Sequence, residues 1–218
     1  MLHEWRKLRA DELRAQARRD AIVILPVASL EQHGPHLPVE VDSILGETVA
    51  ARTAMKVLSK GQAVLVLPVL WTGLSEHHMS FGGTVTLDNA TFSALIEGVI
   101  RSVLRHGFRR IVLLNAHGGN ENALRAIVDD LTPKLSVPIV QFTYWYAAAV
   151  VIAKILETQG GLQHACEAET AMMMKVRPDL VASDRISLAK SNTTPDLSDV
   201  AVAAFTCGAP SVAGRLPE

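Results

Sequence analysis

The sequence predicts an α/β protein, a three-layer α/β/α sandwich around a mostly parallel central sheet. Three observations lead to this prediction. Four short runs are apolar throughout, as strands are when helices cover both faces of their sheet. Longer amphipathic segments alternate with these runs, which is the order of βαβ units. The chain has 218 residues, of which 49% are hydrophobic, so one domain with a sizeable core is expected over residues 1–218.

The elements follow one another along the chain without internal repeats or linkers. Strands are predicted at residues 21–26, 63–67, 111–115 and 137–142. Helices are predicted at residues 44–58, 89–106, 121–131, 147–156 and 167–176. The residues that signal helix ends are Asp42 or Ser43 as the first cap, Asp88 as the second, and Gly107, Pro133 and Pro178 as terminators. The C-terminal end, rich in turn-forming residues, is expected to be irregular or incomplete.

Composition excludes several functional classes. The formal net charge is −1 and the charges are scattered, so the chain lacks the concentrated basic face of a nucleic-acid-binding protein. Its first 20 residues lack the apolar core of a signal peptide, and its longest apolar stretch is too short to span a bilayer. Cys166 and Cys207 permit one disulfide, but two cysteines are more typical of a reducing compartment. We expect a cytoplasmic protein with a small-molecule partner.

A cluster of metal-ligand residue types follows the first predicted strand. Glu31 and His33 are two residues apart, so in an extended stretch both point the same way. Gly34 and Pro35 would then turn the chain, and Asp42 could return at the start of the next helix. Carboxylate and imidazole are normal ligands of zinc, manganese and iron. A single loop histidine is usually just a polar surface residue, but this grouping after a buried strand favours a metal site.

A second polar group follows the third strand, from Asn115 to Asn120. An ordinary strand-to-helix turn accounts for Gly118 and Gly119, with Asn120 as the helix cap. It does not account for His117. In parallel sheets the ligand sits beyond the carboxyl ends of the strands, and His117 stands at that place. We therefore interpret His117 as another metal ligand.

The segment from His164 to Thr170 contains two glutamates before a helix. Glu169 shares a helical face with Met172, Met173 and Val176, and that face should be buried. A buried carboxylate needs a metal, a cation or hydrogen-bond donors. It could equally accept backbone N–H groups at the helix start, where negative charge is favoured. The same alternatives hold for Glu167, while neighbouring Cys166 is interpreted as structural rather than as a nucleophile.

A long polar and glycine-rich loop, residues 73–84, follows the second strand. Ordered loops of this length are often binding loops, although an exposed flexible loop is the alternative. Ser75 and His78 are its candidate substrate-binding residues. Known motifs of other hydrolases and of phosphate-binding proteins are absent: GxSxG, GxxxxGK[ST] and HExxH.

Taken together, these segments resemble the creatininase family. The match is strongest in SLEQHGPHLP, residues 29–38, with Asp42, and it continues in LNAHGGN, residues 114–120. HACEAET, residues 164–170, is similar to the family's HAGExETS, and GTVTL, residues 83–87, to its GTxTL. The resemblance covers residues 5–181. It implies an α/β/α hydrolase with two divalent metals per chain (zinc, manganese or iron) and a homo-oligomer, expected to be a hexamer.

Metal ligands carry over by motif position. Glu31 and His117 would hold one metal and His33 the other, with Asp42 bridging both. The family's namesake enzyme has a further glutamate ligand where this chain has Gly119, so one metal lacks a carboxylate. Glu167 is the expected replacement, and Glu169 is the alternative.

The resemblance also implies a reaction, the hydrolysis of a non-peptide C–N bond, in an amide or formamide, by metal-activated water. His164 and Glu169 are the expected proton-transfer residues, and Gly118 and Trp145 join Ser75 and His78 on the substrate side. Two substrate-side rings of the namesake enzyme correspond to Gly118 and Gly160, so creatinine is not the expected substrate. A lactone hydrolase, an isomerase, a peptidase or a non-enzymatic metal-binding protein remain alternatives.

Overall fold

The computed structural model describes residues 3–189. The parts of the predicted C-terminal region beyond residue 189, including Cys207, lie outside the described residues. The strands of the sheet are β1 (Ile22–Val27), β2 (Val64–Val66), β3 (Arg110–Asn115) and β4 (Ile139–Thr143). The helices are α1 (Ala10–Arg18), α2 (Val41–Ser59), α3 (Asn89–Arg105), α4 (Glu121–Leu135), α5 (Tyr144–Ala147), α6 (Ala149–Ile155) and α7 (Glu167–Val176). Short 3₁₀ turns at Glu76–Phe81 and Gly118–Asn120 stand in the loops after β2 and β3.

The sheet is parallel, in the order β2-β1-β3-β4. Its register pairs Val27 with Asn115, and Asn115 with Thr143, so three strands end side by side. Side chains that follow β1 and β3 therefore emerge at one edge of the sheet. The predicted α/β fold with a parallel central sheet is confirmed, and this edge is where the polar segments meet.

Alternate residues of β1 pack into different apolar layers. Val23 and Leu25 join a cluster that includes Phe92 of α3 and Leu124 of α4. Ile24 packs on the opposite face, in a cluster with alanines of α2. Each fully buried leucine or phenylalanine contributes about 1.5–3 kcal/mol of transfer free energy, so the two layers hold the sheet as a rigid platform. No described helix is both long and apolar enough to cross a membrane.

Several predicted helix ends are confirmed and others are wrong. The carboxylate of Asp88 accepts a 2.7 Å hydrogen bond from the Thr91 N–H, and α3 is followed by Gly107 at φ 92°. Neither Asp42 nor Ser43 caps α2, because the helix starts at Val41 and both residues lie inside its first turn.

Two further helix boundaries differ from the sequence-based expectation. Helix α4 continues through Pro133 to Leu135, because a proline in the last turn removes only one late hydrogen bond. The single helix predicted at 147–156 is two helices, α5 and α6, which meet at Ala148.

Candidate metal centre

The chain after β1 brings two ligand-type side chains to the edge of the sheet. The N–H of Glu31 donates to the carbonyl of Val39 at 3.0 Å, and His33 pairs with Leu37 in an isolated bridge. Gly34, at φ 68°, makes the turn between these strand-like stretches. Glu31 and His33 are both buried at 1% exposure. As their spacing predicts, both side chains reach the same cluster.

Asp42 stands at the middle of this cluster. Its Oδ1 lies 3.2 Å from Nε2 of His33, and its Oδ2 lies 3.1 Å from Nδ1 of His117. The same His117 nitrogen is 3.2 Å from Oε1 of Glu31. On the other side, Nε2 of His33 is 3.8 Å from Oε1 of Glu169. Asp42 thus connects one group formed with Glu31 and His117 to a second formed with His33 and Glu169.

Backbone carbonyls orient the two histidines. Nδ1 of His33 lies 3.1 Å from the carbonyl of Glu31, and Nε2 of His117 lies 3.0 Å from the carbonyl of Leu74. A carbonyl only accepts hydrogen bonds, so these nitrogens carry hydrogen. The opposite ring nitrogens, which face the carboxylates, are then the ones free to donate a lone pair. Such support of the remote nitrogen is characteristic of metal-bound histidine.

Three atoms at the centre of the cluster have no hydrogen-bond partner although they are buried. They are Oε1 of Glu31, Nε2 of His33 and Oδ2 of Asp42. A buried polar atom without a partner costs about 1–3 kcal/mol, and more when it is charged. Imidazole nitrogens and carboxylate oxygens at these separations are held together by positive charge, which is a proton on the ring in the metal-free protein and a metal ion when one is bound. The donor set, imidazole and carboxylate, fits a divalent transition metal.

The electrostatics of the cluster show how strongly it favours positive charge. Burial by itself would lower the pKa of His117, but the charge of Glu31 and hydrogen bonds to Asp42 and Glu31 raise it to about 10. Burial by itself would raise the pKa of Glu31, but the nearby histidines, above all His117, outweigh burial and hold this pKa well below its usual range. Glu31 and Asp42, whose pKa is also lowered, therefore remain ionised at neutral pH and available to a metal ion.

A layer of polar side chains covers one side of Glu31. The Oε1 of Gln32 accepts from the Gly34 N–H at 2.8 Å, so its amide nitrogen faces Nδ1 of His78 at 3.2 Å and Nε2 of His164 at 3.1 Å. Both histidines accept there, and their other ring nitrogens lie on the side of Glu31 without forming a hydrogen bond to it. His164 Nδ1 is 3.2 Å from Oε1 of Glu31. Burial lowers the pKa of His78 to about 3, so this ring stays neutral.

Sequence reasoning missed Gln32. It lies between two ligand-type residues in the first motif, but in an extended stretch its side chain points away from theirs. The structure uses that opposite direction to hold His78 and His164, residues from two other loops. The only available signal was its position inside the motif.

The two glutamates of α7 face different surroundings. Glu169 is buried at 4% exposure and lies beside His33 and Asp42. The carboxylate of Glu167 accepts hydrogen bonds from the Glu157 N–H (2.8 Å) and the Thr158 N–H (2.8 Å), outside the cluster. The expectation that Glu167 faces the metal is wrong, because helix α7 already begins at residue 167 and residues two apart then point about 200° apart.

The chain is similar to known proteins over most of its length. Residues 6–214 match the family model described as "Creatininase: Creatinine amidohydrolase". The chain belongs to the creatininase family. Creatinine amidohydrolase of Pseudomonas putida is 32% identical over 186 residues, which are 78% of this chain and 70% of that protein. The mycofactocin precursor peptide peptidase of Mycobacterium ulcerans is 31% identical over 76% of this chain and 62% of its own length.

Solved creatininase structures share the fold over nearly the whole chain. A structure described as "Creatininase Mn" superposes with a TM-score of 0.80 at 29% identity, covering 97% of this chain and 88% of that one. A creatininase variant described as of Zn-Zn type matches with a TM-score of 0.78. Creatininases therefore bind divalent metals, and the predicted family and its hydrolase chemistry on C–N bonds are confirmed.

Gly119 marks where this chain departs from the creatininase pattern. A Cβ placed at this position would lie 2.2 Å from the Leu74 carbonyl oxygen and 2.5 Å from Nε2 of His117. Any side chain is therefore excluded, and the family's glutamate ligand could not be accommodated without moving the loop at residue 74. A Cβ placed at Gly118 would meet nothing within 4 Å. The loop after β2 thus fills the space that a ligand side chain would need.

That loop supports the cluster rather than remaining a flexible surface segment. Ser75, expected on the substrate side, is fully buried and its hydroxyl donates to Oε2 of Glu31 at 2.6 Å, close to Ser29. Asn120, expected as a helix cap, instead accepts from the Leu74 N–H (2.9 Å) and donates to the Ala28 carbonyl (3.0 Å). Both corrections have one cause: the β1, β2 and β3 loops pack together at the sheet edge, so short polar side chains join them.

A cavity of about 410 Å³ opens onto the cluster. Most ligand pockets in proteins have volumes of this order, about 300–1,000 Å³. Gly118, Trp145 and His78, expected on the substrate side, line it, and so does His164. Sequence reasoning had not singled out the remaining polar residues of the wall, which are His77, Glu121, Asn122, Tyr146 and Gln163.

Proposed function

We propose that this chain is a dinuclear metal-dependent amidohydrolase that cleaves a non-peptide C–N bond, in an amide or formamide. The observation that carries the proposal is the pair of ligand groups joined by Asp42, with Glu31 and His117 on one side and His33 and Glu169 on the other. Each group offers three ligand atoms within 4.8 Å of one another, and three of the atoms involved are buried without partners. Glu169 takes the ligand role that the sequence had suggested for Glu167.

The chemistry divides between the metals and the side chains that line the cavity. When bound, divalent metals would polarise the substrate carbonyl and lower the pKa of a water molecule, which supplies a nucleophile at neutral pH. His164 lines the cavity beside the proposed ligands, with its Nδ1 3.2 Å from Oε1 of Glu31, so its ring is within reach of a substrate bound there and is proposed to transfer a proton to the leaving nitrogen. Gln32 holds the ring in that position. Gly118 and Trp145 leave room for the substrate beside it.

A peptidase is the second candidate, and the observation that favours it is the 31% identity to a peptide peptidase. The small size of creatinine, the namesake's substrate, does not decide between the two candidates. Gly118 and Gly160 stand where the creatininase resemblance implies two substrate-side rings, so this site lacks the groups that would contact creatinine. The expected homo-oligomer, the single domain over residues 1–218 and the cytoplasmic location stay predictions.

Metal analysis followed by a substrate panel tests the proposal. We expect purified protein, reconstituted with zinc or manganese, to retain two ions per chain. The panel then compares a formamide, a cyclic amide, creatinine and an unblocked peptide. Turnover of the formamide or cyclic amide, with weak activity on creatinine, supports an amidohydrolase. Faster turnover of the peptide would favour the peptidase, and protein that retains no metal after reconstitution would contradict both.

A further inference from the structure

Acidic side chains, without lysine or arginine, surround the described part of the cavity. Its acidic residues are the three carboxylates of the metal centre and Glu121, at the first position of α4. A neighbouring cavity of about 630 Å³ shares His77, Gly119 and Asn122 with the first, and it is lined by Glu76 and Asp88, again without a described basic residue. The carboxylates of the metal centre are compensated when metal ions are bound, so Glu121, with Glu76 and Asp88 of the neighbouring cavity, is what favours positive over negative groups along the approach.

Glu121 differs from the other acidic residues because the metal centre does not use it. Its carboxylate side chain is 18% exposed. Oε2 accepts a hydrogen bond from the Tyr146 hydroxyl at 3.0 Å, and Oε1 accepts from Arg125 at 2.8 Å. Arg125 is 62% exposed and does not line the cavity, so this ion pair is largely screened by water and is weak.

Two aromatic rings accompany this carboxylate on the cavity wall. Trp145 and Tyr146 both line the cavity, and their ring centroids are 5.9 Å apart in an edge-to-face arrangement. A carboxylate beside tryptophan and tyrosine rings is a common way to recognise an ammonium or guanidinium group, through charge and cation–π attraction. A phosphate or carboxylate at the same place would be repelled by Glu121, and Arg125, which pairs with this carboxylate, does not line the cavity.

We propose that Glu121, with Trp145 and Tyr146, selects substrates whose non-reacting part carries a positive charge, an ammonium or guanidinium group. This inference rests on the proposed function, because it assigns the substrate class of the same cavity. Glu121 is a specificity residue in this arrangement and takes no part in bond cleavage. A carboxylate at the first position of α4 also stabilises the helix, because negative charge is favourable there. The test therefore has to separate substrate selection from helix stabilisation.

Binding of matched hydroxamates separates them. A hydroxamate group anchors to a metal centre, so three probes of equal chain length that end in ammonium, methyl or sulfonate, a weak metal ligand, differ in the group presented to the cavity wall. Their dissociation constants are measured on zinc-reconstituted protein by calorimetry. We expect the ammonium probe to bind about tenfold tighter than the methyl probe, as a part-exposed charge pair and a cation–π contact suggest. The sulfonate probe should bind most weakly.

Two variants test whether Glu121 causes the preference for the ammonium probe. In Glu121→Gln the ratio of methyl to ammonium dissociation constants should fall to about one, whereas Glu76→Gln, which removes the same charge from the neighbouring cavity, should keep the ratio. This ratio does not depend on the folded fraction, so a weaker helix start alone cannot change it. Equal affinities in the unmodified protein, an unchanged ratio in Glu121→Gln, or equal losses in both variants would overturn the inference. These outcomes would leave the proposed function standing, since that depends on metal content and hydrolysis.

Discussion

Glu167 and Glu169 stand two residues apart at the start of one helix, and their carboxylates contact different parts of the protein. Glu169 lies beside His33 in the buried cluster, with a separation of 3.8 Å. Glu167 binds the backbone at Glu157 and Thr158, at the start of the loop that leads to His164. One glutamate thus lies in the candidate metal centre, and the other closes the loop that carries a proposed proton-transfer residue.

Substituting each glutamate by glutamine should separate these roles. Loss of an outer-shell partner typically costs 10–100-fold in metal affinity, so Glu169→Gln, which alters a proposed ligand, should cost more than about 100-fold. Glu167→Gln should keep both ions and lower kcat several-fold, because the loop at 157–158 loses an ionised acceptor. Metal titration and steady-state kinetics measure the two effects. A Glu167→Gln protein that loses metal while Glu169→Gln retains it would reverse the assignment.

Asp42 is predicted to be needed for both ions. Its two oxygens face different histidines, so Asp42→Ala should abolish activity and remove both metals, whereas His33→Ala should weaken one. Ser43→Ala is the matched control, because Ser43 is the next residue of the same helix turn and is equally buried. Metal stoichiometry by elemental analysis checks the prediction. Two retained ions in Asp42→Ala would show that this residue does not bridge them.

The two glycines after His117 should differ sharply in how well they tolerate substitution by alanine. Gly119→Ala places a methyl group 2.2 Å from the Leu74 carbonyl oxygen, so the loop or His117 must shift. Overpacking of this kind typically costs about 1–3 kcal/mol, and here it also displaces a proposed ligand. Gly118→Ala meets nothing within 4 Å and should keep stability and metal content. Thermal unfolding and metal titration of both variants test this, and equal behaviour of the pair would contradict the close approach at Gly119.

Ser75 is predicted to support metal binding without being a ligand. Its hydroxyl donates to Oε2 of Glu31, so Ser75→Ala should leave that oxygen short of a donor and lower metal affinity by about 10–100-fold. Ser80→Ala, an exposed serine of the same loop, should have no effect. Competition with a chelator measures both affinities. If Ser75→Ala raised KM while metal affinity stayed constant, the substrate-side role expected from the sequence would be restored.

Much of the fold was predictable because its signals are local. Uninterrupted apolar runs mark the parallel strands, and Asp88 and Gly107 mark the ends of α3. Predicted helix boundaries were wrong where a local signal competed with packing. Pro133 suggested an end to α4, but the apolar face of that helix continues to Leu135 against the sheet. A proline so near the helix end costs too little to stop it.

The sequence by itself determined the candidate ligands Glu31, His33 and His117, because strand alternation and the ends of parallel strands fix where those side chains emerge. Only the tertiary structure decided which glutamate of α7 joins them, since that depends on the residue at which the helix begins. It also decided the roles of Ser75 and Gln32. Their partners are far along the chain: Ser75 is 44 residues from Glu31, and Gln32 is 132 residues from His164. Contacts at such separations have no local signature, because folding of the whole sheet is what brings the loops together.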